Sequence, residues 1–310
     1  MIRFLARRLA WSLSVLWFVA TVTFFVGLRV GDPVSTLAGP HASARDREYI
    51  RRFYHLDQPP IAQYGHYLSN VARGDLGRSF RYRRPVAELV AERVPRTLLL
   101  GVMTLVFEFT VGVAVGTLAA VKRGTKTESA VLAASFVGIS TPTFLSGKLF
   151  LIFFAYQLGW FPIGGYGDGF WSHVWHGVLP AMVIGLLGTA WQARLVRSEM
   201  VEVLDADFVR TARAKGASEL RVVVVHALRN ALLPALTSLG LSFGALFGGA
   251  IVTEAIFAWP GVGRLAFEAI TGLDLPVMMA TVLMASAGIL GGNILTDLLY
   301  AALDPRIRRA

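Results

Sequence analysis

The 310-residue sequence contains no cysteine. Disulfides, thiolate nucleophiles and cysteine-ligated metals are therefore excluded together. Charge is also scarce, with Asp, Glu, Lys and Arg making up 16% of residues, against about 25% in an ordinary soluble domain. No G-x-x-x-x-G-K-[ST] occurs. The nearest lookalike, Ser146-Gly147-Lys148-Leu149, lacks the first glycine and the hydroxyl, so no nucleotide is held here through a P-loop. No HExxH is present either. His173 and His176 in "WSHVWHG" have only Asp168 nearby, which suits interfacial polar residues better than a metal site. The six histidines all fall outside the apolar stretches described next, so an intramembrane Ser–His hydrolase has no general base. The chain is expected to be no enzyme and to bind no metal or cofactor of its own.

What is abundant is apolar surface: 55% hydrophobic residues and a mean hydropathy of +0.56. That composition calls for a bilayer as solvent. Six stretches are long enough to cross about 30 Å of hydrocarbon: residues 9–28, 97–121, 130–158, 178–196, 232–258 and 277–303. The first is too long for a signal h-region and lacks a small-x-small cleavage site, so it reads as a retained span. The expected fold class is an all-α polytopic membrane protein with six transmembrane helices.

The net charge of +10 reads as membrane orientation and attraction to lipid headgroups, not nucleic-acid binding. Arg3, Arg7 and Arg8 precede the first span; Lys122, Arg123 and Lys126 fill the second short connection; Arg306, Arg308 and Arg309 close the chain. On the opposite side, residues 159–177 carry no Lys or Arg and residues 259–276 only Arg264. The positive-inside rule then places both termini in the cytoplasm.

Residues 31–96 fall outside and hold eleven arginines. At more than about 60 residues, such a loop is translocated regardless of its charge. It reads as a small helical extracytoplasmic insertion. "SARDREYIRRFYHL" starts at a Ser43 cap and puts Ile50, Phe53 and Tyr54 on one side. "IAQYGHYLSNVARG" spaces Ile61, Tyr64, Leu68 and Val71 along a stripe that ends at Gly74. A third helix begins after Pro85, with Pro95 at its entry into the second span. The segments expected are thus residues 1–30, the insertion 31–96, the remaining spans 97–303 with a cytoplasmic loop at 197–231, and a tail at 304–310. The excess of arginine over acid in the insertion suits docking of an acidic-faced external protein. The outer connection "LGWFPIGGYGDGFWSHVWHG" reads first as an aromatic belt at headgroup depth.

Polar residues inside spans each cost a few kcal/mol facing lipid. Glu108, Lys148, Glu254, Asn293 and Asp297 must pair, snorkel, face a partner subunit or line a hydrated path. Glu254 and Lys148 both fall in the outer half and are candidates to pair. Pro142, Pro180 and Pro234 each remove a backbone hydrogen bond and permit a bend. Pro142, Lys148, Pro180, Glu254 and Asn293 form the candidate pathway or gate set.

The stretch "DFVRTARAKGAS" stands apart, with four charges between apolar blocks. It reads as a helix at 206–215: Asp205 as cap, Asp207 in the first turn, Lys215 in the last, and Gly216 as the left-handed stop. Phe208, Ala212 and Lys215 share a face. Ten residues are too few to hold a helix alone in water, so it must be propped by something on each side.

This sequence resembles the permeases of bacterial ABC importers, in the dipeptide/oligopeptide/nickel branch. The resemblance rests on "VRTARAKG", "HALRNALLP", "LDQPP", "GDLGRSFRYRRPVAELVAERVPRTLLL", "GISTPTFL", "AIFAWPGVGRL" and "LLYAALDPRIR", covering nearly the whole chain. Arg210-Thr211-Ala212 followed by Gly216 stands where the wider family has Glu-Ala-Ala and its glycine. The resemblance implies a type I importer fold in the bacterial inner membrane. It implies a heterodimer with a second permease, ATPase subunits that bind ATP and magnesium, and an extracytoplasmic binding protein. The coupling residues it implies are Asp207, Phe208, Arg210, Thr211, Ala212, Lys215 and Gly216. Peptides are the expected substrate; nickel, glutathione or haem are alternatives, and a channel or secondary transporter is the rival outside the family.

Overall fold

A computed structural model describes residues 2–30, 34, 43–53 and 57–303. The expectations for Tyr54 and for the tail at 304–310 lie outside the described residues. Eleven helices carry the argument: α1 (Ile2–Val30), α2 (Ala44–Phe53), α3 (Pro60–Ala72), α4 (Val86–Val121), α5 (Lys126–Ser140), α6 (Thr143–Phe150), α7 (Phe170–Leu204), α8 (Asp207–Ala214), α9 (Arg229–Ile256), α10 (Val262–Thr271) and α11 (Leu275–Leu303). Leu151–Gln157 and Val222–Leu228 are π-helical. Among the described residues no strand occurs beyond one isolated bridge, Arg78 to Pro85. Among the described residues five helices are long and apolar enough to cross a membrane: Ala6–Arg29, Val86–Val121, Phe170–Leu204, Glu219–Gly244 and Leu275–Leu298.

The stretch expected as the third span, residues 130–158, is not one helix. Thr141 is extended at φ −87° and ψ 122°, and Pro142 holds the N-cap position of α6 with no side-chain cap bond. A residue before proline is pushed out of the α region, so α5 stops there at 15 residues. Neither half is long enough to cross alone: 15 residues rise only about 22 Å. α7 is longer than expected and takes in His173 and His176, while His226 sits in the π-helical lead to α9. His173 Nδ1 lies 2.9 Å from the carbonyl of Tyr166, ahead of α7, and His176 Nδ1 2.8 Å from that of Ser172 in its first turn. Among the described residues no cluster of three metal-ligating side chains occurs.

The chain divides into two compact units. The first comprises Met1–Thr97 and Pro260–Leu290. Its core is Val86, Leu89 and Val90 of α4 against Leu265, Ala269, Val277 and Ala280. α3 packs on α1 through Tyr64, whose hydroxyl lies 2.6 Å from Thr21 Oγ1, and Tyr67, stacked on Phe24 at 5.3 Å. Asp274 ties the arginine-rich turn down. Its carboxylate accepts from Ser79 Oγ at 2.5 Å and from the N–H groups of Phe80 and Arg81 at 3.1 and 3.2 Å. Beside it, Glu268 accepts from Tyr82 Oη at 2.7 Å and Arg264 Nε at 2.8 Å. Burial alone would raise the Glu268 carboxyl, but these two donors outweigh it and hold it below its ordinary range.

The second unit comprises Leu98–Trp259 and Gly291–Ala310. α7 and α9 are its central pair, and α4 crosses α7 closely at Gly112 and Gly116. A Cβ at Gly116 would sit 2.5 Å from the Ala193 carbonyl oxygen and 2.9 Å from Val196 Cβ. Small residues at i and i+4 let two backbones approach where lipid supplies no hydrophobic drive. α4 itself begins directly after Pro85, where an N1-adjacent proline is tolerated, and runs on through Pro95 into the apolar stretch.

Candidate functional site

α8, eight residues long, begins at Asp207, just after α7 ends at Leu204. Its start differs from expectation. Asp205 does not cap it: Asp205 is the C-cap of α7, and its carboxylate pairs with Arg123 at 3.1 Å. Ala206 holds the N-cap position with φ −72° and ψ 150°, and no side chain caps the helix. Asp207 still lies in the electropositive first turn, with Arg210 reaching it at 3.4 Å and its carbonyl accepting from Thr211 Oγ1 at 2.9 Å.

The end of α8 matches expectation. Gly216 adopts φ +82°; its N–H bonds the Arg213 carbonyl at 2.9 Å, and the Ala217 N–H bonds that of Ala212 at 3.2 Å. That pair of crossing bonds is a Schellman closure, which needs a left-handed residue at this position. Space is not the reason for glycine, because a Cβ there would meet no atom within 4 Å. Backbone conformation is.

Val209 is the residue that seats the helix, with 0% exposure. α8 packs on the π-helical stretch Val222–Leu228, whose Val222 and Ala227 are also buried. Sequence reading did not single out Val209. Phe208 remains 47% exposed, and Asp207, Arg210, Thr211 and Lys215 are exposed with it, while Ala212 is half-buried. A short helix thus presents a charged outer face with one aromatic ring.

Two further ties hold the surroundings. Thr125-Lys126-Thr127-Glu128 has the capping-box sequence and a variant of its bonds: Thr125 accepts from the Glu128 N–H, and the Glu128 carboxylate reaches one residue past the cap to the Gly124 N–H at 2.6 Å. The same carboxylate pairs with Arg197 of α7, accepting Nε at 2.7 Å and also Nη2. The Gly124 N–H, then Arg197, hold the Glu128 carboxyl below its ordinary range. Together with Arg123–Asp205, this fixes the α4–α5 connection to the end of α7 that leads into α8.

Deeper in the unit, polar side chains join the helices. Gln192 of α7, with 0% exposure, donates Nε2 to the Ala235 carbonyl at 2.8 Å and accepts from Ser238 Oγ at 2.6 Å. Glu108 accepts from Ser242 Oγ at 2.7 Å, and a Cβ at Gly188 would lie 2.2 Å from its carboxyl. Gln192, Ser238 and Ser242 were not among the expected polar residues. Glu108 was, and the structure gives it an interhelical partner away from lipid.

The candidate pathway residues are scattered. Pro142 is exposed at the break between α5 and α6. Pro180 is buried in α7 beside Leu179 and Ala181. Asn293 is half-buried in α11. The expected pairing of Lys148 with Glu254 does not form: Glu254 has 0% exposure, whereas Lys148 lies exposed on α6 and makes no ion pair among the described residues. Lys148 sits one position past Gly147, and it is Gly147 that faces Ile256 and Phe257 of the α9 end. One step round a helix turns a side chain by about 100°, which carries Lys148 away from that contact.

Comparison with known proteins agrees across the chain. Residues 112–309 match the family described as binding-protein-dependent transport system inner membrane component, and residues 1–101 match its N-terminal companion. The glutathione transport system permease protein GsiC of Escherichia coli O6:H1 (strain CFT073) is 41% identical over 309 residues, covering 99% of each chain. The GsiC proteins of E. coli K12 and of Shigella dysenteriae serotype 1 are each 40% identical over the same length. Among solved structures, an inward-facing MetNI methionine ABC transporter chain superimposes with a TM-score of 0.58 at 20% identity, covering 70% of this chain and 96% of that one. At that identity the likeness is one of fold. The chain belongs to the binding-protein-dependent transport system inner membrane component family and is a permease subunit of an ABC importer.

Proposed function

We propose that this permease couples ATP hydrolysis to uptake through α8, acting as a lever on the cytoplasmic side. The observation that carries this reading is the pairing of an outward charged face on Asp207–Ala214 with a left-handed Gly216 closure. Asp207, Phe208, Arg210, Thr211, Ala212 and Lys215 supply the surface for an ATPase subunit. Gly216 sets the angle at which the chain returns to the membrane. Six spans support both termini being cytoplasmic, with the interrupted stretch of residues 130–158 counted as the third span. The basic connections at Lys122–Lys126 and around α8 support the same orientation. Residues 31–96 form the extracytoplasmic insertion.

The ATPase subunits bind ATP and magnesium, so this chain holds no cofactor and performs no hydrolysis. A second related permease completes the path, and an extracytoplasmic binding protein delivers substrate. Lys148 and Pro142, exposed on the interrupted third span, and half-buried Asn293 are the side chains available to that path; Pro180 and Glu254 support it from behind. The substrate class is small peptides, with glutathione the first to test because the 40–41% identical relatives bear that name.

The test is Gly216→Val in the assembled transporter. Valine in the left-handed region costs about 1–2 kcal/mol and redirects the lever. Uptake into proteoliposomes is expected to fall at least tenfold, while membrane insertion and co-purification with the ATPase persist. Uptake at the parental rate overturns the coupling role. A transporter active with no ATPase bound would return the channel reading.

A further inference from the structure

Lys148 is the only charged residue in the stretch 130–158, which holds no Asp, Glu or Arg. It is exposed, and it makes no hydrogen bond or ion pair among the described residues. Nine positions separate it from Gln157, where the π-helical end of the stretch stops, a rise of about 13 Å. Helical side chains lean back toward the N-terminal end of their helix. The ammonium therefore leans away from the nearer end of the stretch and toward the break at Pro142, and it does not snorkel out past Gln157. Facing lipid, an unpaired charge at that depth is among the costliest groups a span can carry.

The break is a second, independent sign of water on this segment. α5 ends with the Thr141 N–H on the Val137 carbonyl, and α6 starts with Leu145 and Ser146 on the Pro142 carbonyl. Between them the N–H groups of Thr143 and Phe144 have no partner among the described residues. Ser140, Pro142 and Thr143 are exposed. Free backbone polar groups at bilayer depth occur only where protein covers them or a water-filled cavity reaches them. The ammonium leans over Phe144 and Leu145, one turn before it, toward this same level. With no acid in the stretch, its complement is an anion from outside the segment. Every small peptide with a free C-terminus brings a carboxylate, and glutathione carries a net negative charge.

We propose that Lys148 receives a carboxylate of the substrate in transit, so that this permease passes anionic peptides in preference to cationic ones. This rests on the substrate being a small peptide, and it names the side chain that reads the peptide's charge.

The test uses the full transporter in proteoliposomes, with radiolabelled glutathione and trialanine as probes. Lys148→Gln is expected to lower uptake about tenfold or more, the scale of losing one hydrogen bond to a charged group. Lys148→Arg keeps the charge and is expected to retain most of the uptake. Co-purification of the second permease and the ATPase subunits is expected to be unchanged in both. Equal uptake by the parental transporter and Lys148→Gln overturns the role of Lys148 and leaves the peptide reading standing. Uptake of neither probe by the parental transporter removes both. Loss of the second permease from Lys148→Gln shows a pair across the subunit interface and overturns the proposal.

A second measurement separates charge from folding. Because the chain lacks cysteine, Lys148→Cys gives this subunit a single thiol. 2-Bromoethylamine converts it to a thioether ending in an ammonium, with loss of bromide and the thiol proton. Iodoacetamide, losing iodide and the same proton, leaves a neutral thioether. The parental transporter treated in parallel controls for thiols on other subunits. Rescue of uptake by the first reagent and not by the second supports the proposal. Rescue by both or by neither overturns it, as does a thiol that neither reagent labels, which shows lipid or protein covering the position.

Discussion

Gln192 and Ala235 meet at 2.8 Å through a side-chain amide and a helix carbonyl, with no exposure at either residue. The contact stitches α7 to α9, the two helices that bracket the α8 lever in sequence. Ser238 adds its hydroxyl to the same amide. Interhelical hydrogen bonds in membranes are each worth about 1 kcal/mol. Gln192→Leu keeps the volume and is expected to cost about 1–2 kcal/mol, read as an earlier midpoint in detergent unfolding. Gln192→Ala is expected to cost more, because truncation also leaves a void in a sealed site.

Gly116 allows a helix crossing that no other residue permits. A methyl group there would press on the Ala193 carbonyl at 2.5 Å, and that atom is backbone, so a side-chain rotation cannot relieve it. Gly→Ala in a helix ordinarily gains stability, by about 1 kcal/mol. Here the sign is expected to reverse: Gly116→Ala lowers the melting temperature of the purified permease, while Gly65→Ala, with nothing within 4 Å of its Cβ, leaves it unchanged or raises it.

Asp274 holds a turn 193 to 195 positions away. Its carboxylate is 1% exposed and Ser79 3%. Asp274→Ala would strand two backbone N–H groups and a hydroxyl, at a cost of about 3 kcal/mol. Arg78, Arg81, Arg83 and Arg84 are exposed on that turn, so limited trypsin digestion reports its release directly. Cleavage there is expected to quicken more than tenfold in Asp274→Ala and less in Asp274→Asn, which keeps one acceptor oxygen.

The Glu128–Arg197 pair sets a pH dependence. The Glu128 carboxyl is held low by the Gly124 N–H and Arg197. A group depressed on folding stabilises at pH values above its unfolded pKa, here about 4.3. The stabilisation is lost as pH falls through the lower folded value. Thermal stability of the parental protein is therefore expected to exceed that of Glu128→Gln at pH 7 and to converge on it below pH ~4. A gap that stays constant across that range would show that the carboxylate charge is not what holds the contact.

Much of this architecture was legible beforehand because its signals are local. A left-handed stop at Gly216 follows from one glycine after a charged helical stretch; at Pro142 only a bend was expected, and the restriction proline places on Thr141 makes it a break. Long apolar runs announce membrane-crossing helices by length alone. What escaped depends on which residues face each other. Asp205 looked like a cap because it precedes α8, yet α7 runs on to Leu204 and leaves Asp205 facing Arg123. Lys148 and Glu254 lie at similar depth, but helix phase turns them apart. Gln192 was not singled out, and only the crossing of α7 with α9 gives it partners. Two of the missed features did carry a sequence signal: Gly112-x-x-x-Gly116 is a small-residue spacing, and Thr125-x-x-Glu128 is a capping-box sequence.

The interruption at Thr141–Pro142 reaches beyond the count of spans. Ladder bonds end with Thr141 N–H on the Val137 carbonyl and resume with Leu145 and Ser146 on Pro142. No ladder bond bridges the joint; what keeps the two halves in line is α7, against which both α5 and α6 pack. α6 meets the end of α9 as well, through Gly147 against Ile256 and Phe257. Each half therefore takes its direction from the helices beside it and not from the other half of its own segment.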